Sequence, residues 1–274
     1  MASNRLLSLV VGVVVLWAVF ALLQGKFGTC PRTPIWHRSR LTDLAYWFFT
    51  PLVTRAFTRG AAVVLLIGTA AVVGFRTDPA AFLPRLQAIS PIAWLPAWAQ
   101  LPLGLLVADF LGYWSHRLFH GRRLWRFHAI HHSATPLDWL SATRLHPIND
   151  VVSRVLTAAP LLLLGFDPKV FAAVAPVFGL YAIFVHANLP WDFGPLRYVV
   201  ATPRFHRWHH SAEHQALDKN FAGLFPVFDL LFGTFYMPRG LEPRVFGIAE
   251  RVPDGLLAQL AHPFRRDSST GSVA

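Results

Sequence analysis

The chain has 274 residues, of which 54% are hydrophobic and only 14% are charged, against roughly 25% charged in an ordinary soluble domain. This composition excludes a simple water-soluble globule, and an aromatic content of 14% excludes a disordered chain. The formal net charge of +11 comes from basic residues scattered between apolar segments, which indicates anionic lipid headgroups at a membrane surface and no nucleic acid. A single cysteine, Cys30, excludes a disulfide framework and any cysteine-ligated metal centre.

Five apolar stretches predict membrane-spanning helices, in chain order at residues 6–23, 61–75, 92–114, 151–166 and 170–185. The first follows Arg5 and precedes no small-residue cleavage site, which favours an uncleaved anchor over a signal peptide. Only Asp167, Pro168 and Lys169 separate the last two stretches, so we expect a tight helical hairpin there.

The basic residues predict an orientation for these spans. With the N-terminus outside, residues 24–60, 115–150 and 186–274 face the cytoplasm and hold 20 of the 25 lysines and arginines. Short cytoplasmic loops are enriched in Lys and Arg, which is why this asymmetry favours the orientation. The few lysines and the many alanines and prolines suggest a bacterial source, so we expect the inner membrane.

Histidines are concentrated in three short motifs, named here the histidine boxes: HRLFH at 116–120, HAIHH at 128–132 and HRWHH at 206–210. Positions i and i+4 of a helix lie about 40° apart, so each box projects its imidazoles to one side. All three boxes lie in segments that the charge asymmetry places in the cytoplasm. His186 follows the last apolar stretch to the same side.

Imidazole nitrogens bind iron, copper, zinc and nickel. One zinc ion needs only four ligands, so eight to ten histidines predict two metal ions. Iron suits a site at a membrane face because activated O₂ attacks unactivated C–H bonds, although ligand type alone leaves copper and zinc open. The sequence has no serine-hydrolase elbow, His-Glu-x-x-His helix, Glu-x-x-His pair, phosphate loop or dinucleotide fingerprint, which argues against those chemistries and against direct NAD(P)H binding.

The boxes, followed by DKNFAG at 218–223 and DLLFGTF at 229–235, resemble the fatty acid hydroxylase/sterol desaturase superfamily in order and spacing. RLHP at 144–147 and HANLP at 186–190 resemble its bacterial sterol-desaturase-like branch. The resemblance implies an all-α integral membrane protein in which a helical transmembrane stem carries a cytosolic helical cap with the boxes. We expect membrane helices and loops at 1–100, a catalytic domain with further membrane helices at 101–240, and a cytosolic tail at 241–274.

Carried over residue by residue, the resemblance implies nine metal ligands: His116, His120, His128, His131, His132, His186, His206, His209 and His210. Some family members have a tenth histidine four residues after the position of His186, where this chain has Pro190. His146 is our candidate replacement, with a role as a helix cap or an outer contact beside Pro147 as its alternative, and His214 is the second candidate. The implied cofactors are two iron ions, with zinc as a substitute on overexpression, and O₂ as co-substrate.

Ligating imidazoles usually donate their second N–H to a carboxylate or a carbonyl. The candidates for this role are Asp109, Asp150, Asp218 and Asp229. A helix cap or a surface salt bridge is the alternative role for each aspartate. Asn188 is a candidate for a water-mediated ligand.

No fused electron donor is visible, because Pro-Ile-Asn follows His146 where a cytochrome b5 domain has Pro-Gly-Gly. We therefore expect a separate ferredoxin, cytochrome b5-like protein or reductase as electron donor. The substrate is expected to be a membrane lipid, such as a sterol or fatty acyl lipid. Hydroxylation is the first hypothesis and desaturation at the same site the second. A divalent-metal transporter would keep its ligands near the bilayer midplane, and an inactive structural relative would not need intact boxes.

Overall fold

A computed structural model describes residues 2–28, 36–72, 78 and 81–265, and these residues form an all-helical protein with no strand among them. The expected all-α fold class is therefore confirmed. Cys30 and the last nine residues lie outside the described part of the chain. The helices are α1 (Ala2–Phe27), α2 (Ser39–Phe49), α3 (Arg55–Val72), α4 (Phe82–Ile89), α5 (Ala97–Phe119), α6 (Trp125–His132), α7 (Pro147–Leu163), α8 (Pro168–His186), α9 (Pro203–His209), α10 (Val227–Leu231) and α11 (Leu256–Ala261).

Three helical stretches are long and apolar enough to cross a membrane: Asn4–Phe27, Ser39–Val72 and Pro168–His186. The second joins α2 to α3 through one π-helical turn at Thr50–Thr54. Large apolar side chains of these helices are exposed, as Leu7 in α1 and Val64 in α3 show. An apolar helix with little protein around it is stable where lipid covers it. These helices correspond to three of the five predicted spans.

The other two predicted spans correspond to α5 and α7, which do not meet the same requirement. α7 has only 17 residues, and α5 carries Gln100 and Asp109. Both polar side chains of α5 are buried and satisfied inside the protein, because Gln100 accepts the Asp167 N–H and Asp109 accepts backbone N–H groups of the 223–225 loop. α7 packs against α3 and α5, and α5 also packs against α8. The count of five spans and their orientation stay predictions.

The predicted hairpin between α7 and α8 is confirmed. Asp167 caps α8 by accepting the Lys169 N–H at 2.7 Å, and Pro168 occupies the first helical position. Gly165 lies in the turn with a φ of +85°, and a Cβ atom there would lie 2.4 Å from the Ser90 Cβ. Glycine is therefore required at this turn. The hairpin returns the chain to the end of α5 that carries the first histidine box.

The short helices α6, α9 and α10, with residues 210–226 between the last two, are named here the cap; α6 packs against α5 and α7, and α9 packs against α8. The cytosolic position of the cap stays a prediction. Phe205 and Trp208 of α9 pack with Val185 of α8 in a core that joins this cap to the membrane-length helices. The described part of the predicted tail, residues 241–265, is folded onto the cap. Its Gly255 N–H donates to Thr42 of α2. The Pro263 carbonyl accepts from Arg126 of α6, and the Leu260 carbonyl lies 3.2 Å from Nε2 of His146, the N-cap of α7.

Candidate metal centre

Nine of the ten predicted ligands converge in two groups, in each of which the candidate ligand atoms all lie within 4.8 Å of one another. The five-histidine cluster consists of His116, His120, His128, His132 and His209. The four-histidine cluster consists of His131, His186, His206 and His210. No carboxylate and no cysteine belongs to either group among the described residues. Each cluster offers only neutral nitrogen donors.

The helical period explains which histidines share a cluster. His116 in the last turn of α5 and His120 at its C-terminal cap are spaced i, i+4, and both belong to the five-histidine cluster. In α6, His128 and His132 have the same spacing and join them, whereas His131 faces the four-histidine cluster. Helical positions i and i+4 lie on one face, whereas i+3 and i+4 lie about 100° apart. One box therefore supplies both clusters.

The third box also supplies both clusters, with two histidines in the four-histidine cluster and one in the five-histidine cluster. His206 and His210 at i and i+4 belong to the four-histidine cluster, and His209 joins the five-histidine cluster. His186, the last residue of α8, completes the four-histidine cluster. The rings of His132 and His210 stack across the boundary with their centroids 4.4 Å apart. The two clusters are therefore direct neighbours.

The nitrogen spacing in the four-histidine cluster is that of ligands to one ion. The Nε2 atom of His186 lies 3.1–3.2 Å from the Nε2 atoms of His131, His206 and His210. A ring nitrogen has one proton or one lone pair, so three such contacts cannot all be hydrogen bonds. Imidazoles bound to one ion at about 2.0–2.1 Å hold their nitrogens roughly 3.0–3.4 Å apart. The donor set thus fits a transition-metal ion.

The five-histidine cluster shows the same arrangement. The Nε2 atom of His128 lies 3.0 Å from that of His116 and 3.2 Å from that of His132. The Nε2 atoms of His120 and His209 are buried and have no hydrogen-bond partner among the described residues. Buried polar atoms are rarely left unsatisfied in folded proteins. A second metal ion would satisfy these two nitrogens.

Backbone carbonyls orient four of the nine rings through the Nδ1 atom. The acceptors are Phe221 for His116 at 2.8 Å, Arg144 for His131 at 3.1 Å, Ala182 for His186 at 2.6 Å and Lys219 for His209 at 2.7 Å. A proton held on Nδ1 leaves the Nε2 lone pair free for a metal ion. These rings are therefore fixed in the tautomer that binds metal.

Side chains orient two further rings. His120 Nδ1 donates to the Asp218 carboxylate at 2.8 Å, and His128 Nδ1 donates to the Asn149 carbonyl oxygen at 2.7 Å. The hydrogen bond from His120 lowers the pKa of Asp218 below its usual range. Asn149 is a contact that the sequence analysis missed, although it comes directly before the predicted Asp150.

Burial keeps the box histidines of the cap neutral. The pKa of each lies well below the ordinary histidine value, because desolvation and neighbouring histidines both disfavour the imidazolium form. This holds for His128, His131, His132, His206, His209 and His210. Neutral imidazole is the form that binds metal. The cap therefore offers metal-ready ligands at neutral pH.

His146 lies outside both clusters and takes the helix-capping role that was its alternative. Its Nδ1 accepts the Ile148 N–H at 3.1 Å as the N-cap of α7, and its Nε2 lies 3.2 Å from the Leu260 carbonyl oxygen. Both ring nitrogens are occupied, which leaves no lone pair for a metal ion. The second candidate, His214, is exposed and also lies outside the clusters.

Two of the predicted aspartates hold a loop and do not touch a ligand histidine. Asp109 accepts three backbone N–H groups from residues 223–225 at 2.7–3.0 Å. Asp229 accepts the Phe221 and Ala222 N–H groups and the Thr234 hydroxyl. This loop carries the Phe221 carbonyl to His116, so both carboxylates act on the cluster only through the backbone.

The remaining candidates, Asp150, Asp218 and Asn188, differ in the groups that they contact. Asp150 accepts from Arg154 at 2.8 Å in an i, i+4 pair, which is the salt-bridge role left open for it, and it is not a hydrogen-bond partner of a box histidine. Asp218 is the predicted aspartate that does contact a ligand, namely His120. Asn188 follows α8, and its N–H donates to Gln24 of α1. Its role as a water-mediated ligand stays a prediction.

The fold and the site together define a helical protein with three membrane-length helices and two adjacent histidine clusters that could hold metal. Residues 101–234 match the family model described as fatty acid hydroxylase, and through this region the chain belongs to the fatty acid hydroxylase family.

Curated relatives agree with this assignment. The chain is 36% identical over 208 residues to the ornithine lipid hydroxylase OlsE of Rhizobium tropici, which covers 76% of this chain and 62% of the relative. It is 36% identical over 145 residues to the alkylglycerol monooxygenase of Danio rerio, covering 53% of this chain and 32% of the relative. It is 32% identical over 164 residues to the human alkylglycerol monooxygenase, covering 60% of this chain and 34% of the relative. The chain spans less than two thirds of each of these relatives, and no solved structure matches it.

Proposed function

We propose that the protein is a membrane-bound di-iron oxygenase that hydroxylates a lipid. The observation that carries the proposal is the pair of adjacent clusters with five and four convergent histidines. Membership of the fatty acid hydroxylase family supports it. So do the names of the relatives, an ornithine lipid hydroxylase and alkylglycerol monooxygenases.

Neutral imidazoles suit iron, and five or four of them leave coordination positions open on each ion. With iron bound, the centre would supply O₂ activation, placing one oxygen atom in a C–H bond while the other is reduced to water. That stoichiometry needs two electrons and two protons, which we assign to a separate donor such as a ferredoxin, a cytochrome b5-like protein or a reductase.

The residues of the chain hold the ligands and exclude water. The segment 218–221 provides hydrogen-bond acceptors for His116, His120 and His209, and so orients three rings of one cluster. The indole ring of Trp125 lies 5.1 Å from the ring of His120 and 5.2 Å from that of His132. An apolar wall at this distance shields the cluster and strengthens electrostatic interactions inside it.

The position of the centre supports a membrane substrate. His186 is both a member of the four-histidine cluster and the last residue of a helix long enough to cross a membrane. A lipid in the adjoining leaflet is therefore within reach of the site. Combined with the basic segments around the boxes, this supports a site on the cytoplasmic face of a bacterial inner membrane.

The test is expression in a bacterial host that supplies electrons, followed by mass spectrometry of its lipids under ¹⁸O₂. We expect a lipid carrying one added, labelled oxygen atom and close to two iron ions per chain. His131→Ala and His209→Ala should abolish the product, while the exposed His214→Ala serves as the matched control and keeps it. A product that lacks two hydrogens, without added oxygen, would establish the desaturase alternative instead. Full activity without bound metal would overturn the proposal.

A further inference from the structure

A buried ion pair joins the N-terminal region to the four-histidine cluster. Asp43 of α2 accepts from Arg144 Nε at 2.6 Å, and the two side chains are 0% and 3% exposed. The backbone carbonyl of Arg144 is the acceptor for His131 Nδ1. Asp43 lies well before residues 101–234, so the support for this ligand includes a part of the chain outside the family match.

α2 holds Arg144 by more than one contact. A terminal nitrogen of Arg144 donates to the Ser39 hydroxyl at 2.6 Å and to the Ser39 carbonyl at 3.2 Å. The Thr143 hydroxyl donates to the backbone carbonyl of Asp43 at 3.1 Å. The guanidinium and the adjacent residue are thus both attached to α2. This fixes the backbone at Arg144 and with it the direction of its carbonyl.

A second buried pair holds the start of the same segment. Arg40 donates to the Asp138 carboxylate at 2.6 and 2.9 Å, and Asp138 is fully buried. Asp138 also caps the short helix at Trp139–Thr143 by accepting the Leu140 N–H. The segment 138–144 is therefore attached to α2 at both of its ends.

We propose that Asp43 is a positioning residue for the four-histidine metal site. It fixes Arg144 so that the carbonyl of Arg144 keeps the His131 proton on Nδ1 and turns His131 Nε2 toward His186. The inference rests on the proposed metal centre. It also predicts a selective effect, because the acceptors that orient the five-histidine cluster come from the separate segment 218–221 and from Asn149.

A purely structural ion pair would give a different result. If Asp43 served only folding, its loss would lower stability and affect both clusters equally. If it positions His131, its loss removes one ion and leaves the other. The number of ions per chain and the rate at which a chelator removes each ion separate these two roles.

The experiment compares Asp43→Asn with wild type in mild detergent, after anaerobic loading with iron and separately with zinc. We expect two ions per wild-type chain and close to one in Asp43→Asn, because the affinity of the four-histidine cluster for its ion should fall by about 10–100-fold, the range typical for loss of an outer contact to a ligand. Glu250→Gln is the matched control. Glu250 lies 3.0 Å from His262, and neither residue belongs to a histidine cluster. This variant should keep two ions.

Three further variants make the test decisive. Asp218→Ala should weaken the other ion, and the combination with Asp43→Asn should weaken both, because the two residues serve different clusters. Asp43→Leu with Arg144→Met removes both charges and leaves no unpaired ion in the interior; it should restore stability and still lose the ion of the four-histidine cluster. Two tightly held ions in Asp43→Asn, or in this double variant, would overturn the inference. A wild-type protein without metal would overturn the proposed function instead.

Discussion

Replacement of His146 by alanine separates a helix cap from a metal ligand. The change removes the N-cap contact to Ile148, the contact to the Leu260 carbonyl, and the ring packing against Phe127 and Phe264 at 5.1 and 5.9 Å. A lost cap costs about 1 kcal/mol, a lost hydrogen bond about 0.5–1.5 kcal/mol, and lost aromatic packing about 0.5–1.5 kcal/mol. We expect the free energy of unfolding to fall by about 2–4 kcal/mol.

Metal binding should not change in the same variant. Denaturant unfolding in detergent measures the stability loss, and metal analysis should still find two ions per chain. His146→Asn provides the control, since asparagine is a good N-cap residue and should recover about 1 kcal/mol. His131→Ala is the contrasting variant and should lose an ion. A folded His146→Ala protein that binds only one ion would refute the assignment of His146 as a cap.

Three further predictions follow from contacts around the centre and the hairpin. Asn149→Leu leaves His128 Nδ1 without its acceptor, so the metal affinity should fall about 10–100-fold in a chelator competition assay. An unchanged affinity would contradict a role of Asn149 in orienting His128. Gly165→Ala places a Cβ 2.4 Å from the Ser90 Cβ at a φ of +85°, and should lower the free energy of unfolding by about 1–3 kcal/mol. Thermal unfolding should show this loss, and metal analysis should still find both ions. Removal of metal should lower the melting temperature, since ligand binding stabilises the folded state, and readdition of iron should reverse the loss; an unchanged melting temperature argues against a structural contribution of the ions.

The periodicity of the sequence determined much of this centre. The spacing i, i+4 placed His116 with His120 and His128 with His132, because a helix returns to the same face after about four residues. The apolar stretches located the three membrane-length helices, and Asp167 with Pro168 marked the start of α8. These features depend on local geometry, which neighbouring residues specify.

His146, Asp109 and Asp150 have partners other than the ligand rings, because the sequence does not show where a polar group finds its partner. His146 precedes Pro147, which can begin a helix but lacks an N–H, and its ring caps the next turn. Asp109 is spaced to share a helical face with His116, yet its carboxylate is occupied by the folded-back 223–225 loop. Asp150 pairs with Arg154 on its own helix. Each side chain satisfies a nearer group than the metal site.

The acceptors that orient the ligands were decided by the tertiary structure alone. Four of them are backbone carbonyls, at Phe221, Arg144, Ala182 and Lys219, and every residue in the chain carries such a group. Residue type therefore holds no signal for this role. The ion pair from Asp43 to Arg144 joins residues 101 positions apart, and no local pattern predicts that contact. The sequence thus determined which side chains can bind metal, and the packing of distant segments decided how their rings are held.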